Sequence, residues 1–164
     1  MVLVSQPLIL APESCTLAYS PGGIVPGLLR HENCNNKRNL GYVKRLLIVD
    51  DSSAIRHSLR VLLESRPDWE ICGEAENGRE GVDKAMALCP DLVVLDLSMP
   101  VMNGLQAARE LHHLLPSVPL IMFTSFGGAE LEHEALASGI AAVKSKSESL
   151  ESLCGSIQDL LNAA

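Results

Sequence analysis

Short apolar runs and amphipathic stretches alternate along most of the chain. Leu46-Leu47-Ile48-Val49 is an apolar run ending in Asp50 and Asp51, after which Ser52 precedes Ile55, Leu59 and Leu62 at helical spacing. This pattern predicts a strand followed by a helix with a serine cap. The unit then repeats. Trp69 to Ala75 reads as a strand, Asn77-Gly78 as a turn, and Val82, Ala85, Met86 and Cys89 as one face of a helix that stops before Pro90. Leu92 to Leu95 is the third strand, and Leu105, Ala108, Leu111 and Leu115 share one side of the third helix. Leu120 to Phe123 is the fourth strand and Ala129 to Ser138 the fourth helix. Ala141 to Ser145 makes the fifth strand, and Leu150, Leu153, Cys154, Ile157 and Leu161 form the apolar face of a closing helix. Strand runs apolar on both faces, each followed by a helix, imply an α/β fold: a (βα)5 doubly wound parallel five-stranded sheet with right-handed crossovers.

Residues 1–43 lack this rhythm. They carry four prolines, the turn cluster Ser20-Pro21-Gly22-Gly23 and the polar run His31 to Asn39. A disordered extension is expected there and the domain over 44–164, with translation from Val43 a further expectation. No output domain is expected beyond the closing helix. Aromatic residues make up only 3% of the chain, so the core must rest on Leu, Val, Ile and Ala. The net charge is −7 and no Lys/Arg run exceeds two residues, which removes the cationic stripe that direct nucleic-acid binding needs. Five scattered cysteines without a C-x-x-C pair suggest reduced thiols and a cytoplasmic protein. The apolar stretches near the amino terminus are broken by Pro7, Pro12 and Glu13, so no membrane or export segment is expected.

Polar residues stand where the strands end: Asp50 and Asp51 after the first, Asp96 after the third, Thr124 after the fourth and Lys146 just past the fifth. In open parallel sheets ligands bind outside the carboxyl ends of the strands, where the strand order reverses. For order 2-1-3-4-5 that point lies between strands 1 and 3, so the three aspartates are expected to converge. A lone Asp after a strand is ordinarily a helix cap, and a lone Lys a solvated side chain; their coincidence on successive strand ends is what points to chemistry. Carboxylates gathered in one crevice repel by ~4 kcal/mol per pair at ~4 Å and an effective dielectric of ~20, which calls for a cation. Mg²⁺ suits such oxygen ligands and phosphate oxygens, leaving Asp96 free to attack phosphorus as a nucleophile.

The runs LLIVDDS at 46–52, DLSMPVMNG at 96–104 and IMFTS at 121–125, with the closing lysine, resemble the response-regulator receiver family of two-component signalling, the CheY-like proteins. The resemblance covers residues 44–162 and carries a flavodoxin-like strand order with it. It implies that Asp50, Asp51, Asp96 and the backbone carbonyl of Ser98 form a Mg²⁺ site. It further implies that Asp96 accepts a phosphoryl group from a sensor histidine kinase or a histidine phosphotransfer protein. Thr124 would move toward that group and Lys146 would pair with it. Met99-Pro100 and Gly104 look like the residues that shape the turn after strand 3.

Two positions depart from the family. Val143 stands where an aromatic residue often precedes the lysine by three, and Ser147 replaces the proline that commonly follows it. Lys146 is assigned because it lies seven residues after Gly139, with Lys144 as the alternative. His112 and His113 are adjacent on one helix and cannot form an i, i+4 metal pair; they, His57 and His133 read as surface residues. The expectation is a non-enzymatic single-domain regulator. It would signal to a downstream protein target through the face formed by helix 4, strand 5 and helix 5, with room for a phosphorylation-dependent homodimer. A phosphorylation-independent docking module is the alternative. A Mg²⁺-dependent phosphohydrolase ranks third, because no substrate pocket, Walker loop or G-x-S-x-G turn is legible.

Overall fold

A computed structural model describes residues 43–163, so the expectation for the extension lies outside the described residues except at Val43. Strands and helices alternate as β1 (Lys44–Val49), α1 (Ser53–Leu63), β2 (Trp69–Ala75), α2 (Gly78–Leu88), β3 (Leu92–Leu95), α3 (Gly104–Leu114), β4 (Leu120–Thr124), α4 (Ala129–Ala137), β5 (Ala142–Ser145) and α5 (Leu150–Ala163). The sheet runs β2-β1-β3-β4-β5 and every neighbouring pair is parallel, the doubly wound order that the apolar runs imply.

Strand periodicity divides the core into two layers. Leu46 and Ile48 of β1 pack with Leu59 and Leu63 of α1 and Leu153 and Ile157 of α5. Leu47 and Val49 point to the other side, where they meet Val82 and Ala85 of α2 and Ala108 and Leu111 of α3. All of β3 and all of β4 is buried. Each fully buried Leu or Ile contributes about 1.5–3 kcal/mol relative to exposure, so these two layers dominate the stability of the sheet.

The outer strands differ from the expectation of runs apolar on both faces. β5 is half-buried throughout, and β2 is fully buried only at Trp69 and Ala75. They are the sheet edges, with a neighbour on one side only, which relaxes the demand for apolar residues. Leu150, placed by periodicity on the apolar face of α5, is 37% exposed; Leu153, Cys154, Ile157 and Leu161 form the buried face.

Helices α1, α2 and α3 each begin with a side-chain cap that satisfies an otherwise unpaired amide. Ser52 accepts from Ile55 N, Asn77 from Glu80 N, and Asn103 from Gln106 N, the last completed by Gln106 reaching back as a capping box. Asn77 and Gly78 therefore open α2 instead of forming a separate turn. A register shift between Leu46 and Leu47 inserts one extra residue into β2. Ile71 lies with the α1 side of the sheet, Cys72 and Gly73 both lie with the α2 side, and Glu74 is thereby turned back toward α1.

Candidate functional site

The strand ends bring Asp50, Asp96 and Lys146 together. Asp50 follows β1, its amide held by Ala75 O at 3.0 Å, and Asp96 follows β3, its amide held by Val49 O at 2.8 Å. Both are almost fully buried, at 2% and 4% exposure. Lys146 Nζ bridges them, 2.6 Å from Asp50 Oδ2 and 2.9 Å from Asp96 Oδ1. The remaining carboxylate oxygens accept backbone amides, Asp50 Oδ1 from Ser52 N at 2.9 Å and Asp96 Oδ2 from Ser98 N at 2.8 Å.

Thr124 closes β4 and is fully buried; its hydroxyl accepts the Phe126 amide at 3.2 Å. Its carbonyl takes the Lys146 amide at 2.8 Å, tying the lysine backbone to the end of β4. Lys144 turns elsewhere, bonding Ser152 Oγ at 3.2 Å and lying 3.9 Å from Glu148. Of the two lysines, only Lys146 reaches the aspartates. Asp51 is exposed, and among the described residues no three His, Cys, Asp or Glu side chains stand together as a ready ligand set. The three aspartates do not form one closed cluster; two are locked on an ammonium and the third faces solvent.

The turn after β3 is built by close approach. The Gly104 amide bonds Leu97 O at 2.9 Å, and a Cβ at Gly104 would overlap the Asp96 carbonyl oxygen. Pro100 to Met102 forms a three-residue turn, Met102 N to Pro100 O at 2.7 Å, with Val101 at φ +67 and 85% exposed. A β-branched residue at positive φ is strained, and strain of this kind concentrates at functional loops.

Charge within the site is unbalanced. Burial pushes the Asp96 carboxyl above the ordinary carboxylate range, the Lys146 hydrogen bond and charge pull it down, and the Asp50 charge raises it again, leaving it raised. Burial lowers the Lys146 ammonium, but its bonds to Asp50 and Asp96 outweigh that, and its affinity for the proton is raised. Two buried carboxylates thus share one ammonium, with one negative charge left over. An all-oxygen donor set with an uncompensated charge fits a hard divalent cation held by one or two carboxylates, backbone oxygen and incoming phosphoryl oxygens.

Arg56 was not singled out from the sequence. It is 8% exposed and donates from Nη1 to the carbonyls of Asp50, at 2.8 Å, and Asp51, at 3.4 Å. The signal was present: Arg56 lies three and seven residues before Leu59 and Leu63, on the core-facing side of α1, where an apolar residue is the norm. His57, His112, His113 and His133 are exposed. Cys72 is half-buried and Cys154 buried, both as free thiols.

The family model of the response regulator receiver domain matches residues 46–158, and the chain belongs to that family. A protein-glutamate methylesterase/protein-glutamine glutaminase of Methanosarcina acetivorans is 46% identical over 107 residues, covering 64% of this chain and 30% of that protein. The chemotaxis protein CheY of Thermotoga maritima is 38% identical over 96 residues, covering 58% of this chain and 79% of that one. Among solved structures, the response regulator domain of Thermotoga maritima CheB superposes with a TM-score of 0.68 at 33% identity, covering 73% of this chain and 97% of that domain. The chain spans less than a third of the length of its methylesterase relative. Among the described residues no helix is long and apolar enough to cross a membrane.

Proposed function

We propose that this chain is a phosphorylation switch that takes a phosphoryl group on Asp96 from a sensor histidine kinase or a histidine phosphotransfer protein. The observation that carries the reading is the buried Asp96 carboxylate, paired with Lys146 at the carboxyl edge between β1 and β3. An Asp96 oxygen attacks phosphorus, the bond from phosphorus to the donor atom breaks, and the electron pair leaves with the donor. Lys146, which bonds Asp96, would pair with the phosphoryl oxygens, and the Thr124 hydroxyl at the end of β4 would donate to them. Asp50, Asp51 and the Ser98 carbonyl are the oxygens that would hold Mg²⁺, which when bound supplies positive charge for the transferring group.

Turnover on small substrates is not part of this reading. The methylesterase activity named for the relatives belongs to proteins more than three times longer than the matched stretch. Output is by protein contact in the cytoplasm, through α4, β5 and α5, where Leu136 is 53% exposed and Leu150 is partly exposed.

The test is intact-mass spectrometry after incubation with Mg²⁺ and acetyl phosphate. One added phosphoryl group is expected on the unmodified protein and none on Asp96→Asn. Addition to both forms, or to neither with a cognate kinase while the fold is intact, would favour a phosphorylation-independent docking module.

A further inference from the structure

We infer that Arg56 is a positioning residue for the acidic pair, and that it preforms the cation site on which the proposed phosphoryl transfer depends. Its guanidinium is held from three sides. Nε bonds Glu74 Oε2 at 3.1 Å, Nη2 bonds Glu76 Oε1 at 2.9 Å, and Nη1 bonds the carbonyls of Asp50 and Asp51. These carbonyls belong to the two peptide groups that join Asp50, Asp51 and Ser52. The second of those groups also carries the Ser52 amide, which donates to Asp50 Oδ1 at 2.9 Å. Fixing its carbonyl end fixes the direction of its amide, and so the orientation of the Asp50 carboxylate.

The anchor itself is rigid. Glu74 is turned toward α1 by the extra residue in β2 and is also bonded by Arg60 Nε at 2.6 Å. Burial pushes the Glu74 carboxyl up, but its bonds to Arg60 and Arg56 outweigh this and leave it below the ordinary range, so it remains ionised. Lys84 of α2 reaches the Glu74 carbonyl and Glu80 accepts the Glu76 amide at 2.9 Å, joining a second helix to the same corner. A planar donor fork spanning two carboxylates and two carbonyls has no equivalent in a lysine or an apolar side chain. Partners of this kind, one bond behind the ligands, set ligand orientation and affect metal affinity by about 10–100-fold.

Positioning and bare electrostatics give opposite signs. Removing a positive charge close to a cation site tightens cation binding by Coulomb's law alone, whereas loss of positioning weakens it. The experiment is calorimetric titration of the full-length chain with Mg²⁺, without a phosphoryl donor, for the unmodified protein, Arg56→Met, Arg56→Lys and Arg60→Gln. Thermal unfolding of each is followed in parallel. Arg56→Met is expected to weaken Mg²⁺ binding by about tenfold or more. Arg56→Lys, which keeps the buried charge and the fold, is expected to recover only part of that affinity. Arg60→Gln also breaks a bond to Glu74 but leaves the bonds from Arg56 to the carbonyls in place; it should lower the unfolding temperature and weaken Mg²⁺ binding much less than Arg56→Met does. Equal or tighter binding by both Arg56 variants would overturn the inference, as would equal weakening by Arg60→Gln. Absence of Mg²⁺ binding to the unmodified protein would overturn the site reading itself, and this inference with it.

Discussion

The two halves of the carboxyl edge of the sheet are built differently. On the β1/β3 side the chain leaves each strand through a bonded turn, and α1 and α3 start on side-chain caps. Asp50, Asp96, Lys146 and Arg56 are all within ion-pair or hydrogen-bond reach of at least two partners. On the β4 side, residues 125–128 are exposed, α4 starts at Gly128 with φ +142 and no side-chain cap, and Ala135 is its only buried residue. Thr124 sits at the boundary, its hydroxyl on the Phe126 amide. Local opening costs least where buried contacts are fewest, and moving parts are drawn from such regions. A phosphoryl group that drew the Thr124 hydroxyl away would release that amide on the loosely held side while the acceptor side stayed in place. In the proposed switch Val143 offers no aromatic ring to carry the change, and the segment from Thr124 to α4 would take that part.

The contrast can be broken by experiment. The largest effect is expected for Gly104→Val on the rigid side, where the new side chain would overlap Asp96 O and Leu97 Cα. Urea denaturation should show a loss of about 3 kcal/mol or more; a loss below 1 kcal/mol would mean that this turn yields as readily as the β4 side. Lys146→Met leaves two buried carboxylates facing each other and should cost about 2–3 kcal/mol at pH 7. That cost should shrink toward pH 4, where the carboxylates can escape by taking up protons, and a pH-independent loss would contradict the shared-ammonium arrangement.

Asp96→Asn should have the opposite sign. The Asp96 carboxyl is raised in the folded state, so its contribution to stability is fully present below its unfolded value and is lost as pH rises through its folded value. Replacing it should therefore stabilise the protein at pH 7, with the gain fading as the solution is made acid. A destabilised variant at pH 7 would show that the ammonium fully compensates both carboxylates. The smallest effect is expected for Phe126→Ala, whose side chain is 60% exposed: a change within about 0.5 kcal/mol. Faster amide exchange in the first turn of α4 than in those of α1 and α3 would sharpen the comparison, and equal protection would remove it.

Most of this architecture was legible in the chain because local and tertiary demands agree. The apolar runs of β1, β3 and β4 and the capping residue Ser52 each point to one element and one position. The departures fall where only tertiary context decides. Val143 and its neighbours in β5 are half-buried because an edge strand lacks one neighbour, which no periodicity reveals. Leu150 lies at the first turn of α5, where it is 37% exposed. Lys144 and Lys146 share a strand face by alternation, yet β5 ends at Ser145 and the chain turns, sending one ammonium to the aspartates and the other to Ser152 and Glu148. The core-facing position of Arg56 is legible in the spacing of α1, but its partners are not: Glu74 belongs to a strand whose register is shifted by one extra residue and Glu76 follows that strand, and a bulge leaves little trace in hydrophobic pattern.

Whether Asp96 is the acceptor can be read at the level of the residue. The full-length chain would be incubated with Mg²⁺ and acetyl phosphate, reduced with borohydride, digested and sequenced by mass spectrometry. An acyl phosphate on Asp96 is reduced to homoserine, so the peptide containing residues 96–104 should carry homoserine at position 96 and aspartate elsewhere. Homoserine at Asp50 or Asp51 instead, or no reduced residue in a folded protein that has been given its kinase, would contradict the account.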